Sequence, residues 1–165
     1  MIRNSCVLLL AAGALSPGGC SVLSSLPIGV FAGQVDCVVE VERPDGQTGE
    51  EPFSTELTVA IFEDNSMTIN GEPVEVGATH VRSLPFADMG FEIVQVDRSI
   101  GTVRIMYEPR PTLPGITATG QLVETYVSSE DNISVSAEAD LTLNDVDGAT
   151  QLQIDCAETQ LDDVP

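Results

Sequence analysis

Two cysteines sit 156 − 37 = 119 residues apart on stretches that alternate in the same way. Cys37 belongs to the series Phe31, Gly33, Val35, Cys37, Val39, Val41, which alternates with Gln34, Asp36, Glu40 and Glu42. Cys156 belongs to Leu152, Ile154, Cys156, which alternates with Gln151, Gln153 and Asp155. Such a period of two gives a strand one buried and one wet face, so both cysteines face a core. A bond between them needs Cα atoms within about 7 Å. It would make the first and last strands neighbours. In the chain-entropy view a loop of that length makes the bridge worth up to roughly 4 to 5 kcal/mol. A zinc site is the rival use, but the chain has one histidine, His80, and no close pair of cysteines.

The stretches between repeat the scheme. Phe53, Thr55, Leu57, Val59 and Ile61 alternate inward after a polar loop that runs to Pro52; Asp64-Asn65 turns the chain back, Ser66 to Ile69 returns, and Asn70-Gly71 marks a tight hairpin. Further strands are expected from Glu72 to about Arg82, Phe91 to Val96, Thr102 to Tyr107 and Ile116 to Val127. The most regular is Ile133, Val135, Ala137, Ala139, Leu141, Leu143. No stretch after the N-terminal segment has helical periodicity of useful length. The expectation is an all-β fold: an antiparallel up-and-down meander of about eight strands closing into a barrel, or else a two-sheet sandwich with neighbouring terminal strands. Eight strands would make first and last antiparallel and nine would make them parallel; the count around Asn70 leaves both open.

The N-terminus carries a different signal. One positive charge at Arg3 precedes the apolar run Val7 to Leu15, followed by Ser16-Pro17-Gly18-Gly19-Cys20. The run is shorter than the roughly 20 residues that span a bilayer, which fits an export signal. The segment resembles a bacterial lipoprotein signal peptide, with Gly18 and Gly19 as the small residues before the cut and Cys20 as the lipid acceptor; Pro17 stands where that family has Leu or another aliphatic. The resemblance implies a diacylglyceryl thioether and an amide-linked acyl chain on Cys20, enough for stable anchoring. In the enteric lipoproteins it resembles, a residue other than Asp after the cysteine, here Ser21, goes with the outer membrane. An ordinary secretory signal cut nearby is the alternative. The expected division is 1–19 signal, 20–28 tether, 29–160 a single barrel-like domain and 161–165 a tail. Cys6 leaves with the signal, and Cys37 and Cys156 are left to pair in an oxidising compartment.

Charge narrows the partners. All 26 acids lie beyond Cys20 and Arg3 leaves with the signal, so the mature part carries five Arg against 26 acids, 5 − 26 = −21, with no Lys. Nucleic acid and anionic lipid surfaces would be repelled. A basic protein, cations or a salty habitat are compatible, as is plain solubility.

No catalytic motif stands out. His80, in Thr79-His80-Val81, would have to serve any Ser-His or Cys-His mechanism, and no nucleophile motif accompanies it; a structural or surface histidine is expected. Carboxylate pairs are too common here to nominate a glycosidase dyad. Asn144-Asp145-Val146-Asp147-Gly148 begins like a calcium loop, but alignment on Gly148 puts Leu143 and Ile154 at the terminal ligand positions, so a turn is expected. Glu130-Asp131-Asn132 is a looser carboxylate loop. No metal and no cofactor are expected.

Two connections, Leu84 to Met89 and Pro109 to Pro114, are apolar where turns should be polar. A meander puts both at one end of the sheet, which makes Phe86, Met89, Arg110 and Leu113 a candidate rim for a small apolar ligand above Ala118, Gly120, Ala137 and Ala139. Loops that plug the barrel end are the plainer reading. Gly29-Val30-Phe31 faintly resembles the glycine-plus-aromatic opening of lipocalin-like barrels, without their usual Trp. The expectation is a non-enzymatic, lipid-anchored envelope protein with a binding or structural role, taking a small apolar ligand at one barrel end. The alternative is an acidic inhibitor or adaptor for a basic protein.

Overall fold

The computed structural model describes residues 26–110, 114–129 and 132–165. Ten strands follow one another: β1 (Gly29–Glu42), β2 (Thr48–Ile61), β3 (Met67–Ile69), β4 (Glu72–Pro73), β5 (Thr79–Leu84), β6 (Ala87–Ser99), β7 (Thr102–Arg110), β8 (Thr117–Ser128), β9 (Asn132–Asp145) and β10 (Gly148–Asp163). They form one antiparallel sheet in the order β4-β3-β2-β1-β10-β9-β8-β7-β6-β5, a meander curled into a nearly closed barrel.

The chain's ends meet inside the sheet. β1 and β10 are antiparallel, with Cys37 directly opposite Cys156. The two are bonded, with Cα atoms 4.0 Å apart. The inward series of the first and last strands therefore share one core, where Val35, Cys37, Val39, Leu152, Ile154 and Cys156 are all buried.

The break in the sheet falls instead between β4 and β5, in mid-chain. The return after Asp64-Asn65 is the short β3, and the stretch from Glu72 to about Arg82, expected as one strand, divides into β4 and β5, which with β3 accounts for ten strands against about eight. Asn70 (φ 51) and Gly71 (φ 82) make the left-handed pair of a tight β3–β4 turn, as Asn-Gly allows. No backbone ladder joins β4 to β5. Two side chains bridge toward β5 and β6: His80 Nε2 donates to the Pro73 carbonyl at 2.8 Å, and Arg98 Nη1 donates to the Asn65 carbonyl at 2.9 Å.

Three boundaries differ from expectation for physical reasons. β2 begins at Thr48, so the polar stretch before Phe53 is strand; it pairs with β1 through backbone bonds that need no apolar side chain. The 161–165 tail is not free of the domain. A bulge between Cys156 and Thr159 reverses the side-chain parity of β10, so Leu161 points inward and is fully buried. The Leu84–Met89 connection shrinks to a turn at Pro85 and Phe86, because Ala87 to Met89 pair with β5.

Candidate functional site

The inward faces of β5, β7 and β8 carry groups that ordinary cores exclude. On β8 the inward positions are Leu122, Glu124 and Tyr126, and on β7 they are Ile105 and Tyr107; all are buried. On β5 the inward positions are His80, Arg82 and Leu84, while Val81 faces out and is 55% exposed. Sheet curvature brings these side chains together. Arg82 Nε donates to Glu124 Oε1 at 2.8 Å, and Arg82 Nη2 donates to Glu124 Oε2 at 3.1 Å and to the Tyr107 hydroxyl at 3.0 Å. The hydroxyls of Tyr107 and Tyr126 both donate to Glu124 Oε2, at 2.7 and 2.9 Å. The guanidinium also lies 5.3 Å from the Tyr107 ring centre, within cation–π reach.

The electrostatics follow from this geometry. Burial pushes the Glu124 carboxyl up, but the Arg82 charge and the hydrogen bonds donated by Arg82, Tyr107 and Tyr126 outweigh it and hold Glu124 below its ordinary range. Burial pulls the Arg82 guanidinium down, and the facing Glu124 carboxylate more than restores it. Burial, reinforced by that carboxylate, raises both Tyr107 and Tyr126 well above the usual phenol value. The cluster is thus a charged pair capped by two neutral phenols. As a fully paired set it fixes β5 against β8 rather than offering a free acid or base.

A cavity of about 50 Å³ lies against Arg82 and Glu124. Its walls are the disulfide, Val35, Leu57, Phe91 and Ile154, and at the broken side of the barrel it reaches Phe53 and Thr55 of β2 and Ser83 and Leu84 of β5.

The residues singled out from sequence fall in different places. Phe86 is at the β5–β6 turn, 45% exposed; Met89 is a buried core residue of β6. Arg110, exposed at the end of β7, donates through Nε to Glu92 Oε2 at 2.7 Å. Arg110 pairs with Gly90, next to Met89, so the three do share one end of the sheet, yet none of them lines the cavity. Leu113, Cys20 and the Glu130-Asp131 pair lie outside the described residues. His80 is fully buried against the Pro73 carbonyl and 5.9 Å from the Tyr107 ring centre, with Nδ1 3.7 Å from Glu72 Oε2. At Asp145 the carboxylate accepts from the backbone of Asp147 and Gly148, at 2.8 and 3.1 Å, which is a turn and not a ligand loop.

Arg82, Tyr107, Glu124 and Tyr126 were not picked out from sequence. The readable signal was parity: Glu124 and Tyr126 fall in the same alternation as Ala118, Gly120 and Leu122, so one carboxylate is bound to point inward. An inward charge demands a partner, and Arg82 shares the parity of the buried His80.

The outer surface carries a second feature. On β2, β1, β10 and β9, exposed carboxylates occupy facing positions: Glu40 lies opposite Glu50, and Asp155 lies opposite Glu138. Asp140 and Glu42 flank them, and Arg104 borders the patch at Glu138 and Asp140. Like charges directly opposite one another on a sheet destabilise it.

No protein-family model matches the chain, and no curated protein matches it. Among solved structures, the crystal structure of the ywiB protein from Bacillus subtilis is similar over 79% of this chain and 93% of that chain, with 13% identity and a TM-score of 0.30.

Proposed function

We infer that this is an exported, lipid-anchored envelope protein whose barrel has no enzymatic role and binds a basic protein through its acidic outer face. The observation that carries the choice of partner is the pair of like-charge juxtapositions, Glu40 opposite Glu50 and Asp155 opposite Glu138. Solubility alone needs spread charge and not facing carboxylates, which cost stability in the free protein. A cationic surface would relieve them. The arginine–carboxylate ion pairs formed among the described residues use Glu92 and Glu124 and leave these four untouched.

The anchor rests on the Gly18-Gly19-Cys20 resemblance, and the exported state on that segment together with the Cys37–Cys156 bond. Intact mass of protein extracted from membranes tests the anchor: acyl chains on Cys20 are expected, and an unmodified sulfur would remove it.

A small apolar ligand is the second reading, favoured by the apolar lining of the cavity. Its volume of about 50 Å³ is small beside the roughly 300 to 1,000 Å³ of ligand pockets, which places it second. Salt separates the two readings. Capture of a basic envelope protein by the purified domain should weaken steeply as salt rises from about 0.05 to 0.5 M, whereas apolar binding should not.

A further inference from the structure

The break in the barrel leaves two free strand edges, and they differ in chemistry. On β2, Thr58 turns its backbone outward: its carbonyl accepts from Asn70 N at 2.7 Å, and its N–H donates to Asn70 Oδ1 at 2.8 Å. Alternation in a strand carries that outward orientation to Glu56, Ser54, Pro52 and Glu50. Pro52 therefore removes an N–H from the free edge, where its loss costs no ladder bond. Asn70 Nδ2 reaches the Glu56 carbonyl at 3.4 Å, covering the next position. Proline, charge and a capping side chain blunt this edge against further pairing.

The β5 edge has no such protection. Ile93 of β6 exchanges backbone bonds with Gly77 and Ala78, at 2.8 and 2.9 Å. Alternation then turns Phe91 and Met89 toward His80 and Arg82, their register partners, so Thr79, Val81 and Ser83 present their backbone groups away from β6. None of these three is charged or proline. The Val81 carbonyl has only a 3.4 Å contact from Arg82 Nη1. Beside this edge the wall is missing: β3 and β4 are three and two residues long, and β3 covers β2 only from Val59 to Ile61. The cavity reaches this notch, between Phe53 and Thr55 on one lip and Ser83 and Leu84 on the other.

We propose that β5 takes up an extended segment of the basic partner as an added strand, bonded to the outward backbone groups of Val81 and Ser83. The inference rests on the basic-partner reading above and names where contact is made. Strand addition draws affinity from the backbone and specificity from alternate side chains. Here the inward side chains of the guest would be apolar, over Leu84 and Phe53, and the outward ones cationic, near Glu56 of β2 and Asp88 of β6. A second copy of this chain is the poorer guest, because each copy carries a formal charge of −20.

The test uses an eight-residue peptide alternating valine and lysine, with the same peptide N-methylated at alternate residues as control. Binding of the first should slow amide exchange at Val81 and Ser83 by about tenfold or more. The N-methylated peptide should bind at least about tenfold more weakly, and so should the first peptide to a Val81→Pro variant, which lacks the outward N–H but no ladder bond. Should Val81→Pro fail to fold, the two peptides on the unaltered protein decide the matter. Equal binding of both peptides, or no protection at Val81 and Ser83, overturns strand addition. If that binding is still lost on neutralising Glu40, Glu50, Glu138 and Asp155, the acidic-face reading stands without it. A dimer that Val81→Pro abolishes would also overturn it, since β5 would then be occupied by its own copy.

Discussion

Arg82 and Glu124 form a two-point ion pair inside the barrel, tying edge strand β5 to β8 across the two strands between them. Removing one partner leaves a buried charge uncompensated, which costs about 3 to 5 kcal/mol, whereas replacing both with apolar groups costs much less. Urea unfolding should therefore show Arg82→Met as severely destabilised and the double variant Arg82→Met/Glu124→Leu as substantially recovered. Equal loss in both would mean that the charges do not depend on each other.

The same cluster sets the pH range of stability. Glu124 is held below the usual carboxylate range, so its contribution is present at neutral pH and is lost in acid, as pH falls from the ordinary carboxylate value through its lowered one. Tyr107 and Tyr126 are raised, so the folded state keeps protons that the unfolded chain releases above about pH 10. Stability should hold through neutral pH and then fall above that value, by up to about 2.7 kcal/mol per pH unit for two phenols. Tyr107→Phe should halve the alkaline slope in unfolding curves measured from pH 8 to 12. An unchanged slope would refute the assignment.

Cys37 and Cys156 close a loop of 119 residues. Cys37→Ala/Cys156→Ala should lose about 2 to 5 kcal/mol, read as a lowered denaturant midpoint. A peptide map under non-reducing conditions should recover the two cysteines linked, and alkylated Cys37 in native protein would contradict the bridge.

Gly120 has φ +113, and a Cβ there would overlap the Asp140 carbonyl oxygen of β9. Gly120→Ala should destabilise by more than about 1 kcal/mol, since it adds a collision to an unfavourable backbone angle. A melting temperature equal to that of the unaltered protein would show that the strand can shift away.

Much of this architecture was legible. Alternation placed Val35, Cys37, Val39, Leu152, Ile154 and Cys156 on one face, and the cysteine pair then made first and last strands neighbours. What alternation cannot reveal is a parity change: the bulge in β10 turns Leu161 inward, and the one between Ile93 and Gln95 blurs the pattern of β6. Nor can it place a break between β4 and β5, because two short strands read as one longer one. The buried cluster is concealed in the sequence because Arg82 and Glu124 are 42 residues apart and meet only through sheet curvature. Phe86, Met89 and Arg110 share one end of the sheet, but Met89 fills the core, since its strand starts earlier than its apolar neighbours suggest.

If the facing carboxylates are kept for a cationic partner, one variant should show it in two ways. Glu40→Gln/Glu50→Gln/Glu138→Gln/Asp155→Asn should unfold at a higher urea concentration than the unaltered domain, by about 0.5 to 2 kcal/mol as two like-charge pairs are relieved. The same variant should no longer capture a basic envelope protein at low salt. A variant that binds as tightly as the original would contradict the account.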